Sequence, residues 1–245
     1  MSKHNYIILN NNTYNKCKIC VQTKIIKKPF SKIQRSTSLL ELIHTDICEL
    51  NGKLTRGGKR YFITFIDDCS KYVFVYLLRT KYEAFDKFKE YKTMVENQKE
   101  KKIKLLQSDR GGEYFSYSFN EFCEEHGIIH QMSASYTPQQ NGVAERKNQT
   151  LVEMVNVMLM NAKLSFNFWG EALYMAYHIN NRTPSMKTYV SPYKVWNGRK
   201  PNIGYFKVWG CIAFYKILDH LKLKLGPRGI RSVFVRYAKN SKAYR

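Results

Sequence analysis

Residues 42–78 decide the fold with three closely spaced apolar stretches: LIHTDICEL at 42–50, RYFITFIDDCS at 60–70 and YVFVYLL at 72–78. Each stretch is rich in β-branched and aromatic residues, and the connections between them are short and turn-like. This pattern predicts three consecutive strands that form an antiparallel meander.

The region after the meander alternates helices with strands. Apolar residues recur at intervals of three and four within 81–102, which predicts a helix docked on the sheet; they are Phe85, Phe88, Tyr91, Met94 and Val95. The further predicted elements are strands at 103–109 and 128–133 and helices at 114–127, 145–162 and 166–182. The polar stretch ASYTPQQNGVA (134–144) predicts an exposed loop. The order βββαβαβαα indicates an α/β fold.

Length and composition exclude several classes of protein. A hydrophobic content of 44% in 245 residues is enough for a packed core and excludes a disordered basic tail. The chain has no apolar run of the roughly 18 residues that a membrane-spanning helix needs. The N-terminal residues lack a long apolar stretch and a small-residue cleavage site. We therefore expect a protein that is neither secreted nor embedded in a membrane.

The formal net charge of +22 is unevenly distributed. Residues 1–40 carry +8 and residues 193–245 carry +12, whereas residues 41–192 carry only +2. A nearly neutral centre with two basic flanks favours a polyanionic partner such as nucleic acid. The alternative is that the basic flanks only keep the protein in solution.

Two aspartates and one glutamate stand out in the neutral centre. Asp46 lies in an apolar strand with no Lys or Arg within two residues, where an unpaired carboxylate would cost several kcal/mol. Asp109 closes the fourth strand, although an ion pair with Arg110 would also explain it. Glu145 begins the long helix, where an acid is also favourable for the helix dipole. The adjacent acids Asp67 and Asp68 face opposite sides of a strand and cannot address one metal together.

Helical geometry places Glu145 at the border of the core face of the long helix, near Asn148 and Gln149. Three carboxylates that converge there would repel one another unless divalent cations held them together. Mg²⁺ prefers such oxygen ligands, and a pair of ions supports the cleavage or transfer of phosphodiesters.

The six cysteines are too sparse for a disulfide framework. Cys17 and Cys20 form a C-x-x-C pair, which is half of a zinc site. His4 is the one His upstream of them, so the chain supplies at most three ligands there. The other four cysteines, at 48, 69, 123 and 211, are interpreted as small core residues.

Several short sequence motifs resemble the integrase region of copia-type LTR retrotransposons. They are HTDIC (44–48), YFITFIDDCSKYVFVYLL (61–78), LLQSDRGGEY (105–114) and SYTPQQNGVAERKNQTLVEM (135–154), and 35 residues separate Asp109 from Glu145. CKICVQTK (17–24) resembles the second half of the family's His-His-Cys-Cys zinc module, whose His pair this chain lacks. Residues 183–217 and 234–245 resemble the segment that follows the family's catalytic core.

The resemblance implies a ribonuclease-H-like α/β fold, as in the retroviral integrase core, with a five-stranded mixed sheet, flanking helices and a small basic C-terminal region with β-strands. It implies that Asp46, Asp109 and Glu145 are catalytic residues that bind Mg²⁺ or Mn²⁺, as a pair of ions. The implied reaction is 3′-end processing of element DNA followed by strand transfer into target DNA. The implied partners are double-stranded DNA and further copies of the chain, in the nucleus, with no membrane.

The predicted organisation has three parts: a truncated basic segment with half a zinc motif (1–40), the catalytic core (41–182) and a basic core-following segment (183–245). The residues predicted to contact nucleic acid are Tyr136, Gln140, Asn141, Lys147, Asn148 and Gln149, and those of a possible zinc site are Cys17 and Cys20. An alternative function is a catalytically inactive DNA-binding remnant of a retrotransposon polyprotein. A nuclease of the same fold without transferase activity is a third hypothesis.

Overall fold

A five-stranded mixed sheet organises the protein, whose structure is a computed structural model. The structure describes residues 38–109, 111–114, 116–132, 141–185, 189–218, 224–238 and 243–245. Residues 35–245 form one compact unit. The predictions for Cys17, Cys20, Tyr136 and Gln140 lie outside the described residues, as does the alternative ion pair with Arg110.

The sheet confirms the predicted meander and the predicted mixed topology. Its strands are β1 (Leu42–Glu49), β2 (Tyr61–Asp67), β3 (Val73–Leu78), β4 (Leu105–Ser108) and β5 (Ile129–Met132). Their order in the sheet is β3-β2-β1-β4-β5. The first three strands pair antiparallel, whereas β4 lies parallel to β1 and β5 lies parallel to β4. β1 is therefore the central strand.

The helices and the C-terminal strands follow the predicted order with shifted ends, apart from a short helix at Pro192–Asn197 that was not predicted. They are α1 (Ala84–Lys99), α2 (Tyr117–Glu125), α3 (Gly142–Ala162), α4 (Trp169–Arg182), α5 (Pro192–Asn197), β6 (Ile212–Lys216) and β7 (Gly229–Val233). Short 3₁₀ turns at Lys81–Glu83, Gly112–Tyr114 and Phe166–Phe168 occupy the starts of three predicted helices. The structure corrects the start of the long helix, because residues 142–144, predicted as loop, already belong to α3.

The two faces of the sheet bury separate apolar cores because strand residues alternate between faces. In β2, Ile63 and Phe65 join the core beneath α1 and α2, whereas Phe62 and Ile66 join the core beneath α3 and α4. Trp169 at the start of α4 is 1% exposed and packs near Phe62. The helices that carry functional residues are therefore fixed to the sheet over their length.

The C-terminal region contains the expected β-strands, as the antiparallel hairpin β6–β7, and it packs on the second core. Trp209 and Phe234 are 5% and 3% exposed within that core. Gly210 has a φ of +79°, and a Cβ at this position would lie 2.2 Å from the Cβ of Ala162 at the end of α3. Both the backbone conformation and the close approach require glycine there.

The free edge of β3 is held by a side chain of α4. Asn181, which is fully buried, accepts a hydrogen bond from the Val73 N–H at 2.9 Å and donates one to the Val73 carbonyl at 2.8 Å. One amide side chain thus replaces the pair of hydrogen bonds that a neighbouring strand would make.

Substituting Asn181→Ala is expected to destabilise the protein by about 2–6 kcal/mol, because two buried backbone groups lose their partners at about 1–3 kcal/mol each. Urea unfolding measures this as a lower midpoint. Asn161→Ala is a matched control, since Asn161 is exposed in the last turn of α3, and a change within about 0.5 kcal/mol is expected there. Equal midpoints for the two variants would contradict the assigned role of Asn181.

Candidate active site

Strand register brings Asp46 and Asp109 together. β1 and β4 pair in parallel as Ile43 with Leu106 and His44 with Gln107. Continuing this register by two residues places Asp46 beside Asp109, which directly follows β4. Adjacent strands are about 4.8 Å apart, so the two carboxylates leave neighbouring backbones at the same edge of the sheet.

Asp46 is oriented by a hydrogen-bonded chain that links two strands and a helix. Asn148 of α3 donates from Nδ2 to Asp46 Oδ2 at 2.9 Å. Thr64, which lies opposite Asp46 in β2, donates from its hydroxyl to Asn148 Oδ1 at 2.9 Å. Both Thr64 and Asn148 are buried. The direction of the Asp46 carboxylate is therefore fixed by residues that water does not reach.

Glu145 completes the group of acids from the first turn of α3, where its side chain is exposed. Burial and the negative charges of Asp109 and Glu145 together raise the pKa of Asp46 to about 7, against the hydrogen bond from Asn148. Both other carboxylates are therefore close enough to act on Asp46 electrostatically. Without a cation, the cluster holds Asp46 partly protonated at neutral pH.

The donor set suits a hard divalent cation. All three side chains offer carboxylate oxygens, which are the preferred ligands of Mg²⁺ and Mn²⁺. Among the described residues, no three His, Cys, Asp or Glu side chains are grouped closely enough to hold a metal ion as they stand. A bound cation would compensate the mutual repulsion of the three carboxylates and allow them to approach more closely.

Two of the residues predicted to contact DNA are buried in the structure. Asn148 is only 4% exposed and uses its amide to hold Asp46 and Thr64. Asn141 is 1% exposed, and its Nδ2 donates to the Thr45 carbonyl at 3.4 Å. The sequence analysis assigned these polar residues beside a loop to its surface, whereas both side chains point into the sheet.

Lys147 and Gln149 flank Asn148 on opposite sides of α3. Lys147 is half-buried, and its ammonium donates to Asn180 Oδ1 of α4 at 3.0 Å. Burial and the neighbouring Lys71 lower the pKa of Lys147. Gln149 is exposed and bonds Glu153 one turn further along. Lys147 therefore takes part in the contact between two helices, while Gln149 lies on the side of α3 that carries Glu145.

The adjacent acids Asp67 and Asp68 have structural partners instead of a shared metal site. Asp67 is fully buried and accepts hydrogen bonds from the backbone N–H groups of Leu40 and Ser70. Asp68 pairs with His44 Nε2 at 3.1 Å and with Lys71. Although burial opposes it, these two partners hold the pKa of Asp68 well below its usual range.

Comparisons with known proteins agree with this arrangement. Residues 37–138 match the family model of the integrase core domain. The chain is 39% identical over 235 residues to the retrovirus-related Pol polyprotein from transposon TNT 1-94 of Nicotiana tabacum, covering 95% of the chain and 18% of that relative. It is 31% identical over 247 residues to the Pol polyprotein from transposon RE2 of Arabidopsis thaliana, covering 100% of the chain and 17% of that relative. The chain spans less than a fifth of the length of these relatives.

The fold is also similar to a chain in the cryo-EM structure of the simian T-cell lymphotropic virus intasome in complex with PP2A regulatory subunit B56 gamma. The TM-score is 0.62 at 18% identity, with 91% of this chain and 78% of that chain covered. Together, the sheet order, the helices on both faces and the family match define a ribonuclease-H-like integrase core. The similarity to retrotransposon Pol polyproteins covers almost the whole chain, and together with the family match it supports an integrase of an LTR retrotransposon.

Proposed function

We propose that the chain is a divalent-metal-dependent polynucleotidyl transferase that carries out 3′-end processing and strand transfer during DNA integration. One observation carries this proposal: the parallel register of β1 and β4 sets Asp46, within β1, beside Asp109, directly after β4, and Glu145 is close enough to raise the pKa of Asp46. Carboxylates brought together from three elements are the donor set that phosphoryl-transfer chemistry needs.

Asp46 and Asp109 would hold a pair of Mg²⁺ or Mn²⁺ ions, and Glu145 would complete the site. Bound divalent cations supply activation of the attacking oxygen and stabilisation of the leaving oxygen. The protein contributes orientation, because Asn148 and Thr64 fix the Asp46 carboxylate from the buried side. Glu145 can adjust its position without disturbing the core, because it is exposed at the start of α3.

The proposed partners are double-stranded DNA of the element ends and of the target, and further copies of this chain. Residues 193–245 carry a net charge of +12, which suits the phosphate backbone. The integration step would take place in the nucleus. Among the helices that the structure describes, none has the length and apolar character needed to cross a membrane.

A strand-transfer assay tests the proposal. The full chain is incubated with a pre-processed DNA end, a target plasmid and Mg²⁺ or Mn²⁺, and joined products are expected that disappear when EDTA is added. DNA binding without joining in either metal would contradict the proposed activity and support the inactive DNA-binding remnant instead. DNA cleavage without joining would support a nuclease.

Asn148→Ala is expected to lower strand transfer by about 10- to 100-fold, the usual effect of removing a side chain that orients a metal ligand. The variant leaves Asp46 Oδ2 without its amide donor, so more Mg²⁺ should be required for half-maximal rate. Gln149→Ala is the matched control on the next residue of α3, and its metal requirement should be that of the wild type. A lower rate with an unchanged metal requirement would show that Asn148 does not act through Asp46.

A further inference from the structure

A small apolar cleft lies beside the catalytic carboxylates and has no role in the chemistry described above. It has a volume of about 210 Å³ and is formed between the end of β1, α3 and the start of α4. Its apolar lining consists of Leu50, Val152, Val155, Leu159, Phe166 and Trp169. Trp169 is 1% exposed and forms a rigid floor, whereas Phe166 is 55% exposed and forms a wall that a ligand can reach.

Three polar residues stand at the rim of this cleft: Asn51, Lys53 and Asn156. Within the described part of the chain, neither amide side chain has a hydrogen-bond partner and the Lys53 ammonium has no carboxylate partner. Asn51 and Gly52 both have positive φ values, and Lys53 N–H donates to the Leu50 carbonyl at 2.9 Å. This tight turn of the Asn-Gly type fixes the rim.

The cleft and the catalytic site lie on one side of α3. Glu145, Gln149, Val152 and Asn156 follow one another at intervals of four, three and four residues, so they form a single stripe along the helix. At 1.5 Å per residue, Val152 and Asn156 of this stripe lie about 10 Å and about 16 Å from Glu145 along the helix axis. That distance corresponds to about three to five nucleotides at 3.4 Å each.

From this arrangement we propose that the cleft binds one unpaired nucleobase of the DNA strand end whose phosphodiester is at the carboxylates. The inference rests on the proposed function, since it takes DNA as the substrate. The volume is below the roughly 300–1,000 Å³ of sites for drug-sized ligands, which suits a single planar ring system. Aromatic walls bind bases by stacking regardless of sequence.

The rim favours a base over an apolar side chain from another protein. Asparagine amides match the donor and acceptor edge of a base, and a lysine ammonium matches the phosphate attached to it. An apolar side chain would bury the cleft but would leave Asn51, Lys53 and Asn156 without complementary groups. Opening the last base pairs of a DNA end would supply the base, and stacking in the cleft would offset the cost of opening.

The test combines a protein variant with a DNA variant in a binding assay. Short duplexes with a pre-processed end carry one abasic site at successive positions, and their affinity for the full chain is measured by fluorescence anisotropy with Ca²⁺. Phe166→Ala should weaken binding of the intact end about tenfold, which lies within the range for removing one base–aromatic stack. An abasic site three to five nucleotides from the end should have a similar effect, and the two changes together should cost no more than either alone.

The control variant is Met160→Ala, because Met160 is 70% exposed on α3 and does not line the cleft. Its affinity should be that of the wild type for every duplex. Independent, multiplying effects of Phe166→Ala and the abasic site would overturn the proposal. A Phe166→Ala effect of equal size at all abasic positions would also overturn it if the variant showed altered sedimentation. Those two results together would mean that a second copy of the chain occupies the cleft.

The assay separates this inference from the proposed function, because it measures binding and requires no catalysis. The wild-type protein could fail to join DNA while Phe166→Ala and the abasic site still have non-additive effects on binding. That result would support the base site and contradict the transferase activity. Conversely, joining of DNA together with independent effects of Phe166→Ala and the abasic site would support the transferase activity and contradict the base site.

Discussion

Asp46→Asn is expected to reduce strand transfer at least about 1,000-fold and, at pH 8, to make the metal-free protein more stable. The loss of activity follows because metal ions supply several kcal/mol of charge stabilisation, and each 1.36 kcal/mol is worth tenfold in rate. The gain in stability follows from the environment of Asp46, whose charge is disfavoured by burial and by two other carboxylates.

The stability effect has a defined pH dependence. The pKa of Asp46 rises from 3.8 to about 7 on folding, and one pKa unit corresponds to about 1.4 kcal/mol, so about 4 kcal/mol is an upper bound. Because the folded-state pKa is the higher one, the stabilising proton is fully present below pH 4 and is lost as the pH rises through 7. We expect the Asn variant to be about 1–3 kcal/mol more stable at pH 8 and equal to the wild type near pH 4.

Chemical denaturation at both pH values, with and without Mg²⁺, measures this difference. Mg²⁺ should stabilise the wild type and leave the Asn variant unchanged, since ligand binding stabilises only the folded state that binds it. Asp86→Asn is the control, because Asp86 is a surface acid of α1 whose side chain is 73% exposed, and its loss from the first turn is expected to destabilise the protein by at most about 1 kcal/mol at pH 8, opposite in sign to the Asp46 effect. A destabilised Asp46→Asn protein at pH 8 would refute the assigned electrostatics.

Glu145→Gln is expected to lower strand transfer at least about 100-fold while leaving DNA-end affinity and stability near wild-type values. Glu145 is exposed in the first turn of α3, so the substitution removes a metal ligand without opening the core. Glu153→Gln is a matched control, because it removes the same charge from an exposed position two turns further along the helix. The measurement is the rate of joining at saturating DNA.

A similar loss of joining in both variants would mean that the net charge of α3 matters and that Glu145 has no specific role. Full activity of Glu145→Gln would remove it from the site and leave Asp46 and Asp109 as the only assigned acids. Stability should be followed in parallel, because an acid in the first turn of a helix contributes about 0.3–1 kcal/mol through the dipole.

The sequence was sufficient to predict the five strands of the sheet, because they follow from local patterns. The stretches around Ile43, Phe65 and Val75 are continuous enough in apolar residues to be read as buried strands. The connection through α1 makes β4 parallel to β1, which brings the ends of these strands to one edge of the sheet. Asp46 and Asp109 could therefore be expected to lie side by side.

The role of Asn148 could not be predicted, because its partners are distant in sequence. Thr64 and Asp46 lie 84 and 102 residues from it, and a helical wheel shows only that Asn148 is near the core face. A polar residue on a buried face was nevertheless a signal that an internal partner exists. The short helix α5 was also missed, although Ser191 accepts a capping bond from Lys194 N–H and Pro192 follows it, a recognisable helix start.

The two hydrogen bonds between the Asn181 side chain and the backbone of Val73 in β3 have a consequence for association between molecules. β3 is an outer strand of the sheet, and such strands recruit strands from other chains when their backbone groups are open. Asn181 covers Val73, and the Tyr174 hydroxyl hydrogen-bonds the backbone of Leu77, so both ends of this edge are occupied from within the molecule. α4 therefore protects the protein from edge-to-edge aggregation. A variant that lacks the Asn181 side chain should aggregate from the folded state at concentrations at which the wild type stays dispersed.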